Sequence, residues 1–288
     1  MTPPTSRYFA GFRLALGGYL VFHFVSLVPY AGELFSASGM LPDAARLPSA
    51  GFFPNPLANA GSAVATGFVI ALSVLSLLLL AGVYRRWVAI PLWFGWACLF
   101  NRNPFIANPS IPYVGFLLLA CAIIPNESLY RPPLPPADRD WTIPRPLYLG
   151  AWLLLGIGYT LSGLHKLGSP SWRDGTALRH VLELPLARDT PLRTWLLSLP
   201  DWAFSGMTYG ALAAEISALP LFLFRATRRY AWAGLIGMQL GILCLLDFAD
   251  LTAGMLLFHA FLLEPGAFST PPIAERISGV FRRASAPG

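Results

Sequence analysis

The sequence predicts an all-α integral membrane protein, a polytopic helical bundle of about eight membrane segments with short interfacial helices on its outer face. Three observations predict it. Hydrophobic residues make up 55% of the 288-residue chain and charged residues only 12%, half of the roughly 25% typical of soluble domains. The apolar residues fall in runs approaching the ~20 residues that a helical span needs. The arginines cluster in short groups between those runs, the pattern of membrane orientation and not of a basic groove, so a pI near 9.5 carries no nucleic-acid reading.

Long candidate spans lie at about 9–31, 61–83, 147–167, 203–224 and 230–247, and shorter ones at about 87–100, 111–125 and 251–264. The first, FAGFRLALGGYLVFHFVSLVPYA, lacks the small-residue cleavage site of a signal peptide. The stretches 87–100 and 111–125 read either as two short helices or as one re-entrant pair. Both choices cross the membrane an even number of times, which leaves the remaining orientation unchanged.

Orientation follows from arginine. Arg7, Arg13, Arg85, Arg86, Arg131, Arg139, Arg145, Arg225, Arg228, Arg229, Arg276, Arg282 and Arg283 fall on one side if eight segments cross, which puts both termini in the cytoplasm and the chain in a cell membrane. Arg13 is near enough to that face to snorkel. The exceptions are Arg46, Arg102, Arg173, Arg179, Arg188 and Arg193. Outer connections span 32–60, 101–110 and 168–202, and in the last TALRHVLE and TPLRTWLLSLP read as short helices in the interface, ended by Pro185 and Pro200.

One membrane domain therefore covers 1–270, with a proline-rich cytoplasmic linker at about 127–146, and 271–288 is a basic cytoplasmic tail. No internal repeat is evident, which argues against transporters built from two related halves. Cys98, Cys121 and Cys244 lie in apolar runs with no C-x-x-C, so they read as buried thiols and neither a disulfide framework nor a metal site is expected.

Chemistry is sought among ionisable groups inside the apolar runs, because a bilayer makes them costly. They are His23, Glu215, Asp247, Asp250 and His259. With the assigned directions Lys166, Asp247 and Asp250 share an outer depth, and His259 lies on the order of 13 Å deeper, at 1.5 Å per residue. A polar column running inward is the expectation. Each member has a plainer alternative: Asp250 as a helix cap, Glu215 and His259 as interhelical ties, and His23 as a structural histidine.

Lys166 stands apart. It is the one lysine among twenty Lys and Arg residues. Where arginine serves everywhere else, lysine differs in being able to give up its proton. Tyr159, Ser162 and Lys166 are spaced i, i+3, i+7 and share a helix face. Gly156 and Gly163 thin that region, so that another helix or a flat ligand can approach. Trp172 and Tyr159 offer aromatic faces to such a ligand, and Asp174 follows in SWRDG. His165 is about 100° around the helix and need not point the same way. The plain alternative is a snorkelling interfacial lysine.

The pattern Y-x-x-S-G-x-x-K-L-x(4)-W-x-x-G, formed by Tyr159, Ser162, Gly163, Lys166, Leu167, Trp172 and Gly175, resembles the signature of the vitamin K-dependent gamma-carboxylase family. More broadly it resembles the HTTM proteins, the horizontally transferred transmembrane domain found in many bacteria. FRLALGGYLV followed by ELFSASGMLP, NRNPFIAN with Arg102 and Asn108, the Glu215 helix and DFADLTAGMLLFHAF with Asp247, Asp250 and His259 are similar to the bacterial branch. The likeness covers about residues 8–265.

The resemblance implies a lysine base that deprotonates a hydroquinone, so a quinone or hydroquinone is the implied cofactor. In the carboxylase, oxygen then converts the quinone to an epoxide, and the strong base so formed removes a glutamate proton before CO2 adds. The chain departs from that enzyme in having His165 before Lys166 where the enzyme has a second lysine, and in lacking a histidine near Asn108 and Ser110. It also has no counterpart of the large lumenal domain, so processive carboxylation of a protein substrate is not expected. A lipid- or quinone-binding module without chemistry, and a proton-coupled transporter using Glu215, Asp247, Asp250 and His259, are the competing readings.

Overall fold

The computed structural model describes residues 6–47, 52–124 and 142–263. The expected linker falls mostly, and the basic tail entirely, outside these described residues. The described residues form helices, joined by short turns except for the long connection between Phe35 and Ser62, and contain no strand. In order they are α1 (Ser6–Leu27), α2 (Ala31–Phe35), α3 (Ser62–Ala81), α4 (Arg85–Arg102), α5 (Ile111–Ile123), α6 (Arg145–Lys166), α7 (Pro170–Arg173), α8 (Ala177–Glu183), α9 (Pro191–Leu197), α10 (Asp201–Ile216), α11 (Ala218–Leu223), α12 (Arg225–Leu245) and α13 (Ala249–Phe261). Three stretches are long and apolar enough to cross a membrane: Tyr8–Phe35, Ser62–Ala81 and Arg145–Lys166. Two shorter apolar helices, Ile111–Ile123 and Ala249–Phe261, accompany them.

Every apolar run of the sequence is helical, but one is not continuous. The stretch 203–224 breaks at Ser217 into α10 and α11. Pro220 is the cause. It has no N–H to give to the carbonyl of Ile216, four residues back, and its ring crowds that carbonyl. Thr160 of α6 fills the gap: its hydroxyl donates to the Ile216 carbonyl at 3.1 Å and accepts the freed N–H of Leu219 at 3.1 Å.

The bundle has two ends, and buried side chains tie helix termini together at each. At one end Arg13 of α1 donates to the carbonyls of Leu79, at 2.7 Å, and Leu80 where α3 stops. Arg85 of α4 donates to the carbonyls of Cys121 and, at 2.7 Å, Ile124 where α5 stops. Arg228 donates to the Phe222 carbonyl at 2.6 Å, next to the end of α11. Tyr8 and Tyr148 reach the Ala260 and Leu262 carbonyls around the end of α13, at 2.5 and 2.8 Å. The last carbonyls of a helix lack partners within it and carry its negative dipole end, which suits a guanidinium. Arg13 therefore does not snorkel. It is 1% exposed and packs against Gly82, whose φ of 76° ends α3 in the left-handed turn that glycine favours.

At the other end Arg102 donates to the carbonyls of Leu57 at 3.1 Å and Ser36 at 2.6 Å, binding the connection between α2 and α3 to α4. Since α4 joins Phe9, over which Arg85 lies, to Ser36, it traverses the bundle. Helix α5 runs back from Ile111, beside Asn108, to Ile123, so the stretches 87–100 and 111–125 form two helices that link the two ends of the bundle. Helices α8 and α9 form where expected. The connection between them lies against the end of α12 through an isolated antiparallel bridge of Ala187 with Leu246.

Besides Arg102, four of the arginines that broke the orientation pattern are engaged locally, whereas Arg173 is exposed. Arg46 pairs with Asp43 at 2.8 Å, and Arg179 with Asp201 at 2.9 Å and the Leu199 carbonyl at 3.0 Å. Arg193 bonds the Leu182 carbonyl at 2.7 Å and Arg188 the Leu246 carbonyl at 2.9 Å. These contacts pin the connections in which the arginines lie. Of the cysteines, Cys98 and Cys121 are buried as expected, whereas Cys244 is exposed on α12.

Candidate functional site at the end of helix 6

Helix α6 carries Tyr159, Ser162, Gly163 and Lys166 along one face, and the Pro220 break turns Glu215 of α10 toward that face. Gly163 permits the approach. A Cβ there would lie 2.9 Å from the Ile216 nitrogen and 3.0 Å from the Glu215 Cβ. At Gly156 it would meet the Leu219 Cα at 3.1 Å. The room left by these glycines is taken by a helix, the other expected occupant being a flat ligand.

Lys166 Nζ donates to Glu215 Oε1 at 2.5 Å, and Ser162 Oγ donates to Oε2 at 3.3 Å. The Glu215 side chain is 5% exposed and that of Lys166 27%. Nζ also lies 4.6 Å from the centroid of the Trp172 ring, a cation–π distance. Gly168 and Ser169 close the helix, and Pro170 opens α7, which brings Trp172 back over the amine. Ser162 is exposed, so the pair is reached from the side of α6 and not through the core. A half-buried ammonium, a buried carboxylate and a hydroxyl on one hydrogen-bonded chain can accept, hold and pass a proton.

Other predicted residues fall into separate groups. Tyr159 is buried; its hydroxyl accepts from Gln239 Nε2 at 2.9 Å and meets His259 Nε2 at 3.1 Å. Asp250 accepts from Tyr19 at 2.9 Å, Asn108 at 2.8 Å and His23 at 2.8 Å, and Asn108 in turn accepts the backbone N–H and hydroxyl of Ser110 at 2.8 and 2.6 Å. This node joins α1, α5 and α13 and includes His23, which also sits against Trp96 at 5.0 Å.

Four expected members stand outside any site. Asp247 is exposed and faces Arg188 at 3.4 Å, away from Asp250, so the inward column does not include it. His165 is exposed, about 100° around α6 from Lys166, and has no part in the pair. Asp174 is exposed and caps the following turn: the Thr176 hydroxyl at 2.7 Å and backbone N–H at 3.0 Å hold its carboxyl below the usual carboxylate range. Arg102, named for the likeness of NRNPFIAN to the bacterial branch, donates instead to the Leu57 and Ser36 carbonyls.

The sequence reading missed Thr160, Tyr19 and Gln239. Pro220 within an apolar run signalled the first, by announcing carbonyls in need of a donor, and a glutamine within the run 230–247 signalled the last. Tyr19, an ordinary aromatic in a span, gave no signal. No protein-family model, curated protein or solved structure matches the chain.

Proposed function

We propose that the chain is a multi-pass membrane protein whose Lys166–Glu215 pair takes a proton from a lipid-dissolved acid of the quinol class. The observation that carries the reading is the 2.5 Å contact between the single lysine and a buried carboxylate, with the exposed Ser162 beside it. The resemblance of the Tyr159–Gly175 motif to the carboxylase and HTTM families supplies the substrate class. The donor set fits such a substrate: a flat ring can pack beside Trp172, with its hydroxyl directed to Nζ.

The pair changes the role expected of the lysine. As an ion pair it has no free amine, but it holds a carboxylate that can accept. The O–H bond of the quinol breaks toward Nζ as an N–H bond of Lys166 breaks toward Glu215 Oε1. The electron pair stays on the quinol oxygen. The products are a quinolate beside an ammonium, and a neutral Glu215. Burial and exclusion of water favour this redistribution, because each charge left behind has a partner. The co-substrate then decides between oxidation and carboxylation.

The test uses aerobic oxidation of a short-chain quinol, which yields quinone and hydrogen peroxide with oxygen and proceeds faster from the quinolate. Purified protein should accelerate it. Lys166→Arg, which keeps charge and reach but not the exchangeable amine, should lose about 100-fold or more of the acceleration, the usual scale of general-base catalysis. An arginine variant as active as the wild type would make the pair a structural tie and favour a binding module.

The same reading places α1, α3, α4, α5, α6, α10 with α11, α12 and α13 across a bacterial inner membrane, with the Arg13–Arg85 end in the cytoplasm. Ser36, an apparent choice for a label, is buried. Cysteines at Asp189 and Arg229, both exposed, should react with impermeant reagent from opposite sides. Reaction of both from one side would refute the topology.

A further inference from the structure

We propose that Tyr113 is a specificity-determining residue of the Lys166 site: its hydroxyl binds the far oxygen of a para-quinol whose near hydroxyl lies at Lys166 Nζ. The assignment deepens the quinol reading of the Lys166–Glu215 pair and rests on it. It adds that the site takes rings with two opposite oxygens in preference to rings with one.

Tyr113 lies in the first turn of α5, and its place is fixed from two sides. Just before the helix, Asn108 bonds Asp250 at 2.8 Å and Ser110 at 2.8 and 2.6 Å. The Tyr113 ring packs edge-on against Phe258, with centroids 4.9 Å apart. The residue is 5% exposed. Its hydroxyl ends on Gly158 of α6, where an added Cβ would lie 1.8 Å from the oxygen, so a side chain at 158 would displace it. That hydroxyl makes no hydrogen bond among the described residues. Buried polar groups nearly always have a partner, and a firmly held hydroxyl without one in the protein suits a bound molecule.

The strip of α6 above it leads to the amine. Gly158, Ser162 and Lys166 follow at i, i+4 and i+8, and each step drifts only about 40° around the helix. Gly158 is half-buried and Ser162 is exposed, so the strip is open at its middle. From Gly158 to Lys166 is about 12 Å along the axis. Lys166 leans back along that distance, since its Nζ and Ser162 Oγ share the Glu215 carboxylate. The opposite oxygens of a para-quinol stand about 5.5 Å apart, and a hydrogen bond of about 2.8 Å at each extends the reach to about 11 Å, less when the bonds bend. The ring then lies over Ser162 with one oxygen at each polar end. A monophenol or a catechol carries its oxygens on one edge and reaches Nζ alone. The Tyr113 hydroxyl can donate to a quinone carbonyl or accept from a quinol hydroxyl, so it serves both redox forms.

Anaerobic equilibrium dialysis of the purified protein, with protein-free micelles as the blank, compares duroquinol with durenol, the same methylated ring with one hydroxyl removed. The wild type should bind duroquinol several-fold more tightly. Tyr113→Phe deletes only the hydroxyl; it should weaken duroquinol about fivefold, the scale of one hydrogen bond, and leave durenol unchanged. In aerobic turnover KM for duroquinol should rise by a similar factor with kcat little changed, because the bond is made to substrate and transition state alike. Thermal unfolding of the ligand-free variant should match the wild type, since no protein partner is lost. Equal affinity of variant and wild type for duroquinol, or an equal loss for both ligands, overturns the assignment while the reading of the pair stands. If the wild type neither binds nor oxidises duroquinol, the quinol reading fails and the assignment falls with it.

Discussion

Arg102→Met will loosen the connection between α2 and α3. The guanidinium is 0% exposed and donates to two carbonyls from different parts of one connection, Ser36 and Leu57. Methionine fills much of the volume but removes the guanidinium's bond to each carbonyl, leaving Ser36 O with the Gly39 N–H at 3.2 Å and Leu57 O with the Ala60 N–H at 3.3 Å. Hydrogen bonds to a charged group contribute about 1.5–3 kcal/mol each, so the loss should reach about 3–5 kcal/mol. Arg102→Lys recovers part of it at most, since one ammonium cannot reproduce the planar fork that serves both carbonyls. Thermal unfolding of the purified variants measures this order, and cysteines placed at exposed sites in 36–47 should become labile to protease and reagent in the methionine variant. Equal stability of Arg102→Met and wild type would show that the connection is held by other contacts.

Lys166→Met should cost more than its mirror change, Glu215→Gln. Methionine leaves the Glu215 carboxylate, 5% exposed, with Ser162 at 3.3 Å as its remaining side-chain donor. Breaking a buried pair from one side costs about 3–5 kcal/mol, and the partial exposure of Lys166 places this case near the lower figure. Glutamine instead leaves an ammonium that is 27% exposed, still over Trp172 and able to reach water. The double variant Lys166→Met, Glu215→Gln removes both charges and should recover most of the lost stability, because the carboxylate that bears the penalty is gone. Thermal unfolding of the four proteins forms a cycle that isolates the coupling. Purely additive effects would show that Lys166 and Glu215 do not form a pair in the protein.

Much of the helical layout was legible because lipid-length apolar runs have few alternatives, and each run became helix. What could not be read was which helices meet. Lys166 and Glu215 are 49 residues apart, and their encounter depends on Pro220 breaking a helix and Thr160 mending it. A hydropathy profile averages over both. The arginine pattern shows a second limit. Arg13 and Arg85 fit an orientation signal, yet in the fold each also closes the carbonyl end of a neighbouring helix, a role spacing along one chain does not reveal. Depth along helices placed Asp247 beside Asp250, but the turn between them sends their side chains to different partners, Arg188 and the Tyr19–His23–Asn108 node. The glycines of α6 were legible as points of close approach, though not as to what approaches.

In the proposed reaction Glu215 is the final acceptor of the substrate proton, with Lys166 between them. Infrared difference spectra on adding short-chain quinol, with glutamate labelled by carbon-13, measure this directly. A new protonated carboxyl band is expected as the carboxylate band falls, both absent from Glu215→Gln and from Lys166→Arg. Quinol oxidation at the wild-type rate with no change at Glu215 would contradict it.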